Sequence, residues 1–327
     1  MRMLVTGSSG HLGEALARTL RDLGHEVIGL DVVEGPFTTS LGSIVDRATV
    51  KRCMAGVHHV FHPATLHKPH VATHVRQAFI DVNLTGTLNV LEEAVSAGVA
   101  SFVYTSTTSV FGDALVPPTG EPAAWITEDI VPLPKNIYGV TKAAAEDLCQ
   151  LFQRNQGLAC MVLRTSRFFP EEDDDRDVRA RYSDDNLKVN EYLHRRVDIE
   201  DVVSAHLLAA QRATALGFRR YIISATTPFQ PDDMAALRTK VPDVLQHRVP
   251  AYAATYTRLK WTMAPGIDRV YVNERARNEL GWQPRHDFAS LIDRLDAGDD
   301  IRSPLARLVG AKGYHAEAFA DGPYPVE

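Results

Sequence analysis

The sequence predicts an α/β protein: a Rossmann-type, doubly wound parallel sheet with a smaller, mixed α/β C-terminal portion that binds substrate. Three observations carry that expectation. Short β-branched runs alternate with longer amphipathic stretches from the N-terminus onward. A glycine-spaced turn, Gly7-Ser8-Ser9-Gly10-His11-Leu12-Gly13, lies directly between the first run and the first stretch. The chain has 327 residues and a hydrophobic content of 45%, enough to bury one large core and a second unit.

Taken in order, strands are expected over residues 3–6, 26–30, 59–62, 102–106 and 160–164, with a last one at 221–224. Apolar residues recur at helical spacing over 12–23, 82–97, 138–156 and 199–211, and Gly24 and Gly98 follow two of these stretches as helix-ending glycines do. Residues 117–134 fill with proline and lose periodicity, which places a loop across the mouth of the sheet. The acidic run 171–177 reads as a solvated loop. The expected division is a dinucleotide-binding domain over 1–165, to which 196–225 returns, and a substrate-binding portion made of 166–195 and 226–327, whose end beyond Gly298 is weakly specified. The sequence contains no internal repeat.

Composition narrows the function. A formal charge of −6 with no basic block argues against nucleic acid or an anionic membrane surface as partner, because both need clustered Lys and Arg. No run of about 18 apolar residues offers a membrane span, and the first residues enter the glycine turn with no room for a secretory leader. The three cysteines, Cys53, Cys149 and Cys160, stand at unrelated spacings in apolar surroundings and read as reduced core residues of a cytoplasmic protein. The expected partner is a small molecule.

The glycine turn points to a dinucleotide. Gly7 permits the sharp turn, Gly10 lets the backbone approach a pyrophosphate, and Gly13 allows close helix–strand packing. The helix start at His11 and Leu12 presents N–H groups to the anion. Asp31, ending the second strand, can accept from the adenosine ribose hydroxyls and repels a 2′-phosphate, while Val32 and Val33 stand where a phosphate-binding cation would be; NAD is therefore expected over NADP.

The chemistry centres on Tyr138-Gly-Val-Thr-Lys142 at the start of a helix. Residues four apart share a helix face, and an ammonium beside a phenol favours the phenolate, bringing a group of ordinary pKa about 10 toward the range of a general base. Between the two motifs, Tyr104-Thr-Ser-Thr-Thr-Ser-Val-Phe-Gly112 offers several hydroxyls to a substrate oxygen, and the residues alone do not select among them.

At this point the chain resembles the extended short-chain dehydrogenase/reductases, specifically the NAD-dependent epimerase/dehydratase group, over about residues 1–295. The likeness rests on Gly7, Gly10, Gly13, Tyr138 and Lys142, on Phe61-His-Pro-Ala64, on the stretch from Asp81 to Leu91, and on the segments from Arg196 to His206 and from Leu280 to Pro284. It implies that Thr107 is the catalytic hydroxyl, that Tyr138 is the acid or base, and that Lys142 lowers the tyrosine pKa and bonds the nicotinamide ribose. It places Pro63, Ala64, Asn83 and Thr165 beside the cofactor, and it puts Ser43 and Ile44 near the adenine, Ser43 replacing an aspartate common there. Asp198 and Asp201 are implied to be structural. A homodimer through the helices at 82–97 and 138–156 is implied by the same likeness.

The departures restrict the reaction. Related 4,6-dehydratases carry Asp-Glu after the catalytic threonine, whereas Thr108-Ser109 stand here, so dehydration is not expected. Arg167 takes the place of an asparagine that holds the diphosphate of many nucleotide sugars. The segment from Arg164 to Asp185 loosely resembles that of uronate dehydrogenases, in which an arginine receives the sugar carboxylate; Arg176 or Arg179 is the candidate here, with Thr108, Ser109 and Arg167 as further substrate contacts. His58, His59, His62, His67, His70 and His74 crowd one segment, which reads as a polar wall of the substrate site or a plain loop rather than a metal site, since no clear thiolate or carboxylate partner stands near. The expected activity is hydride transfer at a hydroxyl-bearing carbon of a sugar or sugar acid. A redox-neutral nucleotide-sugar epimerase and a non-catalytic NAD-binding regulator are the alternatives.

Overall fold

In the computed structural model, which describes residues 1–313 and 319, seven strands form one parallel sheet: β1 (Arg2–Thr6), β2 (Glu26–Asp31), β3 (Ser40–Leu41), β4 (His59–His62), β5 (Ser101–Thr107), β7 (Cys160–Thr165) and β8 (Phe218–Ile223). Their order across the sheet is β3-β2-β1-β4-β5-β7-β8, and every pairing is parallel. The order reverses between β1 and β4, which opens a crevice at the C-terminal ends of those strands, where ligands of such sheets bind. Two further strands, β6 (Ala124–Ile126) and β9 (Arg269–Tyr271), pair in parallel away from this sheet.

Helices cover both faces because both faces are apolar. On one side Leu12, Leu16 and Leu20 of the helix His11–Asp22 pack with Val202, Ala205 and Ala209 of the helix Ile199–Leu216 against Val5, Val103 and Leu163. On the other, Val50 and Cys53 of Arg47–Met54, Val90 and Ala94 of Thr87–Ser96 and Ala145 and Cys149 of Ile137–Gln156 pack against Leu4, Val60, Phe102 and Val162. A third core gathers Leu193, Phe229, Leu237, Leu245, Val270, Phe288 and Leu291 from the C-terminal portion. All three cysteines are buried and unbridged, and no helix among the described residues is long and apolar enough to cross a membrane.

Caps set the element ends that matter for the site. Asn136 accepts from Gly139 N–H at 3.1 Å and starts the helix of Tyr138 and Lys142, which stops at the left-handed Gly157. Asp198 accepts from Glu200 N–H at 2.7 Å and starts the helix Ile199–Leu216; Asp201 accepts from the N–H groups of Arg285 and His286, both at 2.9 Å. Both aspartates are thus spent on structure. The expected helix at 82–97 begins earlier, at Arg76, and contains a wider π turn over Ile80–Gly86 that carries Asn83. The proline-rich stretch holds the short strand β6, and the end of the chain holds a helix, Pro304–Val309, capped by Ser303. The rest of the expected weakly specified tail, 314–318 and 320–327, lies outside the described residues.

Candidate active site

The crevice begins at the glycine turn after β1. Gly7 has φ +65°, and a Cβ there would come within 3.0 Å of the Cα of Ala64, the second residue after β4. A Cβ on Gly13 would lie 1.8 Å from the Gly7 carbonyl oxygen, so the first helix can approach the turn only with glycine at this position. Gly10 is the residue before the helix, and its N–H donates to Gly7 O at 3.1 Å. The helix start at His11 and Leu12 therefore faces the crevice with the positive end of its dipole. Asp31 closes β2 with its carboxylate accepting from Ser9 N–H at 2.8 Å and Val33 N–H at 3.0 Å. This cradle fits a dinucleotide: backbone without side chains beneath, N–H groups at one end and an oriented carboxylate at the other.

Behind the turn stands His62, the second residue of the Phe61-His-Pro-Ala64 segment and the last of β4. His62 is fully buried, bonded to Thr6 Oγ1 at 2.7 Å and Thr87 Oγ1 at 3.0 Å, and burial lowers its pKa to about 3, so the ring is neutral. It joins β1, β4 and the helix that carries Asn83. The Asn83 Oδ1 accepts from Thr65 Oγ1 and Leu66 N–H, both at 2.8 Å, while its Nδ2 donates to Leu66 O at 3.1 Å and Thr141 Oγ1 at 3.0 Å. Asn83 thereby fixes the loop after Pro63 and Ala64 to the residue preceding Lys142. Ser43 accepts from Val45 N–H at 3.1 Å, and the buried Ile44 seats against Gly86, beyond β2 at the far end of the crevice.

Thr107, Tyr138 and Lys142 come together over the C-terminal ends of β5 and β7. Thr107 ends β5, its hydroxyl accepting from Ser109 N–H at 3.1 Å, and its side chain acts on the Tyr138 phenol, favouring the ionised form. The phenol is buried, which pushes its pKa up to about 12 against the downward pull of Thr107. Lys142 Nζ donates to Thr105 O at 2.6 Å and sits 4.1 Å from the centre of the Tyr104 ring; burial lowers its pKa to about 7. The ammonium is thus held by a backbone carbonyl and an aromatic face rather than bonded to the phenol. Thr165 Oγ1 donates to Ser106 O at 3.0 Å across the β5–β7 ladder, Thr108 is buried, and Ser109 is half-buried.

The wall facing Tyr138 is His67, whose ring lies 6.3 Å from the tyrosine ring and 6.2 Å from His70. Burial keeps it neutral, with a pKa lowered to about 3. His70 and His74 stack edge to face at 5.0 Å.

The acidic run after β7 is solvated only in part, at Glu172, Asp175 and Asp177. Asp173 and Asp174 are buried, and Arg167 donates from Nη1 to Asp173 at 2.6 Å and to the buried Glu191 at 2.9 Å. Three arginines, Arg167, Arg195 and Arg196, hold the Glu191 carboxylate far below the usual range against the opposing effect of burial. Arg179 donates to Asp173 O at 2.6 Å, and Arg176 is exposed at the start of the helix Arg176–Arg181. Glu171 reaches the cofactor turn: its Oε1 lies 2.7 Å from His11 Nε2 and accepts from the N–H groups of Lys312 and Gly313 at 3.0 and 3.1 Å. Lys312 Nζ also pairs with Glu14 at 2.5 Å, so the chain beyond the last helix is clasped to the start of the first.

Fold and site together define a Rossmann-type dinucleotide-binding protein with a threonine, a tyrosine and a lysine gathered at the sheet's C-terminal edge. Residues 3–223 match the NAD dependent epimerase/dehydratase family, and the chain belongs to that family, with NAD as its cofactor. Among curated relatives, the uncharacterized protein y4nG of Sinorhizobium fredii is 33% identical over 166 residues, 49% of this chain but only 39% of that protein. A 3-beta-hydroxysteroid dehydrogenase of Mycolicibacterium neoaurum is 27% identical over 330 residues, covering 86% of this chain and 87% of the relative. A dTDP-glucose 4,6-dehydratase of Streptomyces griseus is 29% identical over 322 residues, 88% and 90% of the two chains. A solved short-chain dehydrogenase/reductase superfamily protein of Agrobacterium tumefaciens, with NAD bound, superimposes with a TM-score of 0.64 at 23% identity, covering 91% of this chain and 96% of its own, and at that identity it supports the fold alone.

Proposed function

We propose that the protein is an NAD-dependent oxidoreductase acting at a hydroxyl-bearing carbon of a sugar or sugar acid, with Tyr138 transferring the hydroxyl proton. The observation that carries this reading is the placement of the buried Tyr138 phenol beside Thr107, whose hydroxyl draws the phenol's pKa downward, above the same sheet edge as the glycine turn. Bound NAD supplies the hydride acceptor and a positive charge.

In this reading the substrate hydroxyl sits between Thr107 Oγ1, which orients it, and Tyr138 Oη, which takes its proton. Burial keeps the phenol protonated at neutral pH, so the phenol is poised to donate in the reducing direction. Oxidation requires positive charge beside the oxygen, and the Lys142 ammonium, one helical turn away, is the protein's source of it. Gly7, Gly10, Gly13, His11 and Leu12 would hold the pyrophosphate, Asp31 the adenosine ribose, and Pro63, Ala64 and Thr165 the walls. Thr108 and Ser109 stand where elimination of water would need an acid and a base, which disfavours dehydration despite the dehydratase relative. With Arg167 and Arg179 engaged by Asp173, the exposed Arg176 is the arginine better placed to receive a substrate carboxylate.

A redox-neutral epimerase is the second reading, and one observation favours it. The clasp of Glu171 and Lys312 on His11 and Glu14 ties a late segment of the chain to the helix start that faces the pyrophosphate, an arrangement suited to retaining the cofactor through turnover. Sugars, sugar acids and nucleotide sugars incubated with NAD, followed by NADH absorbance and by product analysis for isomers, separate the two. NADH accumulation marks the dehydrogenase; an isomer without NADH marks the epimerase. A panel giving neither, with NAD bound, returns the chain to a binding-only role. A homodimer through the helix Ile137–Gln156, on which Val140 and Leu151 stay exposed, goes with either reading, and sedimentation tests it.

A further inference from the structure

One helical turn beyond Lys142, on the same helix, lies a buried ionic cluster with no part in the chemistry above. Glu146 is 1% exposed, and its Oε1 accepts from Ser106 Oγ at 2.6 Å and from Arg164 Nε at 3.1 Å. Its Oε2 accepts from Arg164 Nη2 at 2.8 Å and Arg220 Nε at 3.0 Å. Arg164 is itself buried, with its guanidinium 4.9 Å from the centre of the Phe111 ring, while Arg220 leads outward to the exposed Asp147 at 2.8 Å. Taking a carboxylate out of water is expensive unless its partners return the cost, and one arginine would suffice to neutralise it.

The arrangement makes sense from the side of the lysine. Lys142 is 1% exposed, and its ammonium contacts a neutral carbonyl and a ring face rather than a carboxylate. The groups around it are Tyr138, Glu146 and Cys149 on its own helix, Tyr104 and the Thr105 carbonyl on β5, the neutral His62 on β4 and the neutral His67 in the loop after it. Cys160 on β7 touches Cys149, and Arg164 on the same strand is bound to Glu146. Burial discharges the lysine, His62 and His67 do not offset this, and Glu146 is the strongest influence in the opposite direction. Ser106, held by the same carboxylate, directly precedes Thr107.

We propose that Glu146 is a positioning residue of this site: its buried carboxylate keeps Lys142 charged and, through Ser106, fixes the strand end that presents Thr107. This rests on the proton-transfer reading above, but its test needs neither substrate nor turnover. In the full-length protein labelled with ¹³Cε-lysine, the Lys142 signal, assigned by its loss in Lys142→Met, is followed by NMR through a pH titration. Glu146→Gln is expected to lower the Lys142 midpoint by about one pH unit or more. Arg164→Met leaves Glu146 less neutralised and is expected to raise it, and Ser106→Ala, which keeps the charge, is expected to leave it in place. Opposite shifts from the two halves of one ion pair cannot come from a general loosening of the helix. A midpoint unmoved in Glu146→Gln, or moved downward in Arg164→Met, overturns the proposal; should Glu146→Gln fail to fold, Arg164→Met decides alone. Neither result touches the role of Tyr138, whose own test is turnover.

Discussion

Replacing Asp31 perturbs cofactor recognition without touching the chemistry. An ionised carboxylate has about four lone-pair sites. Ser9 N–H at 2.8 Å and Val33 N–H at 3.0 Å occupy two, one on each oxygen, and leave one site on each for a pair of ribose hydroxyls. A hydrogen bond to a charged group contributes about 1.5–3 kcal/mol net, so losing even one of the two makes Asp31→Ala weaken NAD binding by at least roughly 10- to 150-fold. Asp31→Asn keeps one acceptor oxygen but turns an N–H group toward a backbone N–H, and an intermediate loss is expected. For NADP the sign reverses, because removing the carboxylate removes its repulsion of the 2′-phosphate, and the NADP-to-NAD affinity ratio rises in both variants. Isothermal titration calorimetry with each nucleotide reads these values, and the thermal midpoint of each variant without nucleotide guards against a folding defect. Asp31→Ala binding NAD within twofold of the wild type, with NADP unchanged, refutes the assignment of Asp31 to the ribose.

Two further outcomes follow from the packing and from the buried imidazoles. Gly13→Ala places a methyl 1.8 Å from the Gly7 carbonyl, where only backbone can move; a loss of about 1–3 kcal/mol or more in stability and a collapse of NAD affinity are expected, measured by denaturant unfolding and calorimetry. His62 and His206 are fully buried, with pKa values lowered to about 3 and 4, so the folded protein keeps them neutral while the unfolded chain protonates them below about 6.5. Stability is therefore complete above pH 6.5 and is lost as pH falls toward 4, at about 1.4 kcal/mol per pH unit for each ring. Denaturant midpoints across that range should show the slope, with His62→Gln removing one ring's share; a flat profile contradicts the neutral, buried assignment.

Much of the crevice was legible in the sequence because its constraints are local. The glycine turn, the carboxylate ending β2 and the Tyr-x-x-x-Lys pair each lie within one strand–turn–helix unit, and β4 falls where the apolar pattern places it. The helix Arg47–Met54 was not read, although Asp46 as its cap and Val50, Cys53 and Met54 at helical spacing signal it, because its short length and basic residues hide the pattern. What could not be read was contact between distant segments. Glu171 meets His11 and Lys312 across most of the chain, and Asp173 meets Arg167 and, through it, Glu191; nothing in an acidic run tells whether arginines will fold over it. The direction of the Lys142 ammonium was missed for a similar reason, since helical spacing fixes the face of the helix but not the acceptor that β5 offers there.

The central claim is that the Tyr138 phenol moves the proton while Thr107 orients the same oxygen, and the turnover of Tyr138→Phe with the first substrate found tests it most directly. Loss of the hydroxyl removes the acid–base group but no part of the cradle. The account predicts a fall in kcat of roughly 10²–10⁴ with the NAD dissociation constant unchanged, whereas near wild-type turnover in that variant contradicts it.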